Sequence, residues 1–344
     1  MIKRKIAFLG FGNVGKALAQ LLLQKRAEII DRYNLDFTVT GIATSRHGVA
    51  IDPAGLDLEL VLATLVETSG ASLDQLSTRT IPKDSREFIN DCGAEVLFEN
   101  IPVNYANGQP AVDYIQQALL LGMHVVSANK GPVVHAYHQL TELAKTQGVK
   151  YYFESAVMDG APIFSLFRSG LPAARLLSFQ GVLNSTTNMI LSRMEQGQSF
   201  EQAVAYTQQI GIAETDPSGD IDGWDASVKV AALTTVLMGI SLKPQQVNRQ
   251  GIRHISSESV LEAVKQEKRW KLVCSALRQG DQVMATVGPE LVGRDSPLYA
   301  AEGTTSIIQF ETDVLGRLSI IEENPGPHTT AYGCLADFIN AVVV

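Results

Sequence analysis

The tightest constraint on the fold sits in the first fifteen residues. Lys5-Ile6-Ala7-Phe8-Leu9 is a short apolar run that ends in Gly10-Phe11-Gly12-Asn13-Val14-Gly15. Val14, Ala17, Leu18, Leu21 and Leu22 then recur on one face of a helical pattern. A strand before and a helix after give this glycine spacing its meaning. Gly10 permits the tight turn, Gly12 lets a pyrophosphate approach the backbone, and Gly15 lets helix pack on strand. The first turn of such a helix offers unpaired N–H groups to an anion. Gly10 to Gly15 are therefore candidate cofactor-binding residues.

The rest of the first half extends the same pattern. Strands are predicted over 37–43, 95–99, 124–128 and 149–153, with helices over 110–121 and 135–146. Strands alternating with helices build a mostly parallel sheet covered on both faces, and ligands bind beyond its carboxyl edge. Lys130, in Asn129-Lys130-Gly131-Pro132, lies at that edge. The second strand leads into Thr44-Ser45-Arg46-His47, where an NAD-preferring site usually carries an acid for the ribose hydroxyls. Arg46 suits the 2′-phosphate of NADP, and a solvated loop residue is the other reading.

Composition removes several alternatives. Of 344 residues, 45% are apolar and 19% charged, which is ordinary for a globular chain, and the length admits two domains. A formal net charge of -8 argues against nucleic-acid binding, which rests on phosphate neutralisation. No uncharged apolar segment reaches membrane-spanning length, so no membrane partner is expected. The basic N-terminus followed by an apolar run reads as a strand and not as a secretory signal. Cys92, Cys274 and Cys334 are too few and too scattered for a disulfide framework or a cysteine zinc site. A reduced, cytoplasmic setting is expected.

The second half reads as α+β. A strand over 178–183 leads into Asn184-Ser185-Thr186-Thr187-Asn188, which opens a helix with polar caps. Strand-rich sequence follows to about Ile321, and a last amphipathic helix is predicted over 331–341. Glu214, Asp216, Asp220, Asp222 and Asp225 fall within twelve residues, ahead of Lys229 in an apolar helix that begins near Trp224. The run is not a calcium loop, because Lys229 stands where the bidentate glutamate belongs. Asp225 and Lys229 are i, i+4 neighbours and can pair. The expected boundaries are a Rossmann-type dinucleotide-binding domain over 1–152, an α+β catalytic and dimerisation domain over 153–322, and a segment over 323–344 packing back on the first domain.

Taken in order, GFGNVG at 10–15, SANKGP at 127–132, ESAV at 154–157, GVLNSTTN at 181–188 and AETDPSGDIDGWDASVK at 213–229 closely resemble homoserine dehydrogenase over nearly the full chain. The resemblance is to the short form, which lacks a C-terminal regulatory domain. It implies reversible NAD(P)-dependent interconversion of L-homoserine and L-aspartate 4-semialdehyde, within threonine, methionine and isoleucine biosynthesis. Lys229 would be the general acid/base, with Lys130 near the nicotinamide and substrate. Glu214 would bind the substrate ammonium, Asp220 and Asp225 would arrange the pocket, and Ser185 and Thr186 would contact substrate. Reducing an aldehyde leaves an alkoxide that needs a proton, and a lysine in a buried or cationic setting donates one readily. The resemblance also implies a monovalent cation, Na+ or K+, held by Glu154 and the backbone at Val157, Asp159 and Ala161. Met158-Asp159 departs from the small residues common there. The 322–331 turn departs as well, with Gly326 its evident match beside the nicotinamide. A homo-oligomer formed through the strand-rich domain is implied. The rival readings are a dehydrogenase of another small amino acid or semialdehyde, and a non-catalytic NADP-binding sensor.

Overall fold

The computed structural model describes residues 1–67 and 72–343; Val344, the last residue of the expected 323–344 segment, lies outside them. β1 (Ile2–Leu9) runs into α1 (Asn13–Tyr33), and the chain continues through β2 (Leu35–Ala43), β3 (Val49–Ile51), α2 (Leu58–Glu67), α3 (Ser85–Asp91), β4 (Val96–Glu99), α4 (Ala111–Leu120), β5 (His124–Ser127), α5 (Lys130–Thr146) and β6 (Tyr151–Tyr152). These strands form one six-stranded sheet in the order β3-β2-β1-β4-β5-β6. Every pairing is parallel except β2 with β3. β1 pairs with β2 on one side and β4 on the other, so the strand order reverses at its carboxyl end, where Gly10 begins the loop. β4 and β5 are buried along almost their whole length, which is why they read as continuous apolar runs.

The predicted helix over 135–146 begins earlier, at Lys130. The Asn129 side chain accepts the Gly131 N–H as an N-cap, and Pro132 needs no partner for its nitrogen. The backbone at Ala136 is non-helical, so the periodicity resets there and only the later part is legible in sequence.

The second unit carries β7 (Leu176–Val182), α6 (Ser185–Glu195), α7 (Phe200–Gln209), α8 (Ser218–Ile221), α9 (Trp224–Leu233), β8 (Asn248–Arg249), α10 (Ser257–Lys265), β9 (Lys268–Gln279), β10 (Gln282–Gly293), β11 (Ser306–Thr312) and β12 (Gly316–Glu322). Its six-stranded sheet has the order β12-β11-β7-β9-β10-β8 and is antiparallel except where β10 meets β8. Cys274, Ala276 and Val287 lie on a buried face. The alternate positions Ser275, Leu277 and Met284 lie on the opposite face, where Leu277 and Met284 are exposed.

The last helix, α11 (Pro327–Val343), belongs to the first unit. It packs on α1 through Cys334, Leu335 and Phe338. The Phe338 ring meets Phe98 edge-on, and Phe98 stacks on Phe8. Burying Phe338 completely contributes about 1.5–3 kcal/mol. The chain divides into Met1–Pro162 with the segment from Gly326 onward, and Ile163–Pro325. The first limit falls ten residues beyond 152, because the turn after β6 is tied to α11, and the second three beyond 322. The Glu154 N–H donates to Asp337, and the Ser155 hydroxyl donates to the Thr330 carbonyl.

Candidate active site

In the first unit, a cleft of about 680 Å³ opens at the switch point of the sheet. Gly10, Phe11 and Gly12 line it together with Lys16, Arg46 and Asn100. Gly10 has φ +93, and a Cβ there would lie 2.6 Å from the Asn100 carbonyl group. Gly12 is different: a Cβ would meet no atom within 4 Å, so the space in front of it is open. Gly12 is also the N-cap of α1, and no side chain caps the helix. The first N–H groups of α1, from Asn13, Val14 and Gly15, are left for an anion at the cleft.

The Phe11 ring is turned away into the core, edge-on against Phe8 at 5.3 Å. Val14 packs against the same core, and Gly15 is buried beneath the loop. Arg46 is exposed on the 44–48 turn, which Thr44 fixes by bonding His47 and Gly48. Among the described residues no carboxylate lines the cleft, whereas Lys16, Arg46 and His47 do.

Asn100, just past β4, was not legible as a site residue. Both atoms of its side-chain amide are buried and lack partners among the described residues. Such a group is rare unless a bound molecule completes it. The open glycine, the uncapped helix, the basic lining and this amide together fit a dinucleotide.

Behind the cleft, Glu99 is wholly buried. It accepts from the Ser127 hydroxyl at 2.7 Å, the Asn129 amide at 3.3 Å and the Ile101 N–H at 3.0 Å. Burial raises its pKa to about 7 against the pull of those donors. The network joins the ends of β4 and β5 and holds the cap from which Lys130 begins α5. The Lys130 ammonium lies 5.9 Å from the centre of the Tyr105 ring.

Gly326 caps α11, where its carbonyl accepts from Thr329 and Thr330, and a Cβ there would meet open space. Glu154, Val157 and Ala161 are buried in the turn after β6. Asp159 takes a left-handed conformation at φ +40, and its carboxylate accepts from the Thr330 hydroxyl. Among the described residues, no group of three or more His, Cys, Asp or Glu side chains could hold a metal ion.

The second unit holds the acid–lysine constellation. Lys229 is on α9, one turn after Asp225, and its ammonium lies 3.5 Å from the Asp225 carboxylate. It also donates to the Leu183 carbonyl at 2.5 Å, at the end of β7. Asn184, the N-cap of α6, uses one amide nitrogen to hold two acids, Asp220 at 2.6 Å and Asp225 at 3.1 Å. Burial raises the Asp220 pKa; the Asp225 charge adds to this, while Asn184, Thr186 and Lys229 oppose it. Asn184 belongs to the quoted GVLNSTTN stretch, yet its bridging role needs the fold to bring position 184 to 220 and 225.

The acidic run therefore splits. Asp216 caps the turn at Ser218, and Asp222 pairs with Arg253 at the surface. Glu214 is exposed, with its carbonyl bound by Gln208. The Ser185 hydroxyl donates to the Thr304 carbonyl, while Thr186 bears on Asp220. Asp220, Asp225, Asn184, Thr186 and Lys229 are thus brought together. Chemically, the cluster presents one ammonium on a fixed carbonyl and two carboxylates on a shared amide, which suits proton exchange beside a polar substrate.

Two family models match the chain. One, described as the homoserine dehydrogenase NAD-binding domain, covers residues 10–154; the other, described as homoserine dehydrogenase, covers residues 162–339. The NAD(+)-dependent homoserine dehydrogenase of Pseudomonas canavaninivorans is 33% identical over 99% of this chain and 96% of its own length. A solved structure from Archaeoglobus fulgidus covers all of both chains with a TM-score of 0.88 and 31% identity. A hyperthermophilic archaeal homoserine dehydrogenase in complex with NADPH has a TM-score of 0.82 at 27% identity, covering 99% of this chain and 98% of its own.

Proposed function

The chain belongs to the homoserine dehydrogenase family of NAD(P)-dependent oxidoreductases acting on CH–OH groups, and from that premise we propose that it interconverts L-homoserine and L-aspartate 4-semialdehyde with Lys229 as general acid/base. The observation that carries this role is the setting of the Lys229 ammonium, on the Leu183 carbonyl and 3.5 Å from Asp225. In the reductive direction Lys229 gives a proton to the oxygen of the former aldehyde; in oxidation it takes the hydroxyl proton. Asn184 keeps Asp220 and Asp225 in place, and these acids with Glu214 provide the negative charge that an amino-acid ammonium requires. Thr186 and Ser185 complete the polar wall.

The first unit binds the dinucleotide, which supplies or accepts the hydride when bound. Gly10 to Gly15 and the α1 terminus hold its pyrophosphate, Arg46 takes the 2′-phosphate of NADP, and Lys130 and Gly326 border the nicotinamide. The basic lining of the cleft by Lys16, Arg46 and His47 supports NADP over NAD. In the turn after β6, Glu154 with the carbonyls of Val157, Asp159 and Ala161 would hold a monovalent cation. The second unit is the catalytic and oligomerisation domain, and the protein works in the cytoplasm.

The test is the initial rate of NADP and NAD reduction by L-homoserine, with wild type beside Lys229→Ala. Wild type turns over, and the variant loses about 10²- to 10⁴-fold in kcat with cofactor KM little changed. Arg46→Ala raises the KM for NADP and leaves that for NAD unaltered. A wild type inactive with both cofactors would sink the assignment.

A further inference from the structure

One strongly buried cation has no part in the chemistry above. Lys271, on β9, is completely shielded from solvent. Its ammonium donates to the Asn188 side-chain carbonyl at 2.9 Å and to the Ala301 main-chain carbonyl at 2.5 Å. Burial lowers its pKa to about 8, while the nearby Glu195 carboxylate works the other way. Taking an ammonium out of water is expensive unless it is paired and bonded, so the question is what its two bonds hold.

Asn188 lies one helical turn after Asn184 on α6. Its amide nitrogen donates to the carbonyls of Gly303 at 3.0 Å and Thr305 at 3.3 Å. Ser185 donates to Thr304, and Ser192 accepts the Gly303 N–H at 3.1 Å. Positions 185, 188 and 192 share one helix face, so the 301–305 segment is laced along α6. Lys271 bonds both partners of that lacing, the helix through Asn188 and the segment through Ala301.

The other end of the same helical turn is Asn184, whose single amide fixes Asp220 and Asp225 beside Lys229. A helix free to slip or tilt would carry that amide away from one acid or the other. We propose that Lys271 is a positioning residue of the proton-transfer centre: by pinning Asn188 and Ala301 it holds α6 where Asn184 can keep Asp225 paired with Lys229 and Asp220 beside them. The proposal rests on the assignment of Lys229 as acid/base.

Lys271→Met keeps length and bulk but removes every donor. Homoserine oxidation by this variant is measured against pH beside wild type and Lys229→Ala, together with thermal melts. The expected result is a cooperatively folded variant whose kcat falls about 10- to 100-fold, the scale of a misplaced reacting group. Its kcat–pH profile is displaced, and cofactor KM is unchanged. Asn188→Ala removes the same anchor from α6 and is expected to show the same displacement, which decides the matter if Lys271→Met does not fold. A variant with lowered Tm but wild-type kcat and pH profile overturns the proposal while leaving Lys229 in its role. A wild type inactive on homoserine overturns both.

Discussion

Glu99 shows how much a single buried group can set. Its carboxyl is shielded from water, and its pKa is raised from the ordinary 4.5 to about 7. Two titratable groups near it do not compete for the proton near neutrality. The Cys334 thiol is pushed up to about 12, and burial raises the Tyr151 hydroxyl well above its ordinary value. A raised folded pKa means that the native state binds the proton more tightly than the unfolded chain. The stabilisation is therefore full below about pH 4.5 and fades as pH climbs through 7, by up to about 1.4 kcal/mol per pH unit inside that window. Glu99→Gln imitates the protonated form, so its stability lacks this slope. Urea unfolding of both proteins at pH 5 and pH 8 checks it: the variant gains on wild type at the higher pH, and parallel behaviour would count against a proton held there. Residues of this kind were illegible in sequence, where Glu99 is only the last residue of an apolar strand. From its residues alone the acidic run was legible as charge, and only the resemblance singled out Glu214, Asp220 and Asp225 within it. Asp216 and Asp222 differ from Asp220 and Asp225 only in what the fold places beside them.

Among the elements, the strand–loop–α1 unit was the most legible, because strand, glycine spacing and helix periodicity agree. The start of α5 was the least legible. Gly131 and Pro132 look like a break in sequence, and only the Asn129 cap and the tolerance of a first turn for proline make them helical. The two glycines of the first loop make separable predictions. At Gly10 a methyl group meets the Asn100 backbone at 2.6 Å on a positive φ. Gly10→Ala therefore loses about 1–3 kcal/mol of stability to backbone strain, before any clash is counted. At Gly12 the methyl group meets nothing, and the backbone is at φ -79. Gly12→Ala is expected to keep its stability within about 0.5 kcal/mol, as surface changes usually do, yet to raise cofactor KM because the space it fills is the one proposed for the pyrophosphate. Thermal melts and cofactor titrations of the two variants give opposite patterns if the loop works this way. A Gly12→Ala protein that binds cofactor normally would place the pyrophosphate elsewhere.

At the scale of the whole molecule, the sheet of the second unit raises the question of assembly. α9 packs against β9 and β10, and on the side that bears Ser275 a polar row runs across the strands, with Leu277, Met284 and Ile321 as its exposed large apolar side chains. Gln180 donates to Gln309, Gln309 donates to Ser319, and Ser275 bonds Thr286 across the strands. Leu277 and Met284, directly paired between β9 and β10, are 44% and 52% exposed. A self-bonded row of side chains costs little to dehydrate, and two adjacent apolar side chains gain from being covered. A second copy offers the same row, and a two-fold axis would set like against like. The proposed oligomer therefore forms through this face. Light scattering on the eluting protein gives a mass of at least two chains for wild type. The double change Leu277→Asp with Met284→Asp sets four carboxylates against one another across the axis and gives the mass of one. Monomeric wild type would remove the need for the interface. A double variant that keeps its partner would move the contact to another surface, leaving Leu277 and Met284 as ordinary exposed residues of an antiparallel sheet.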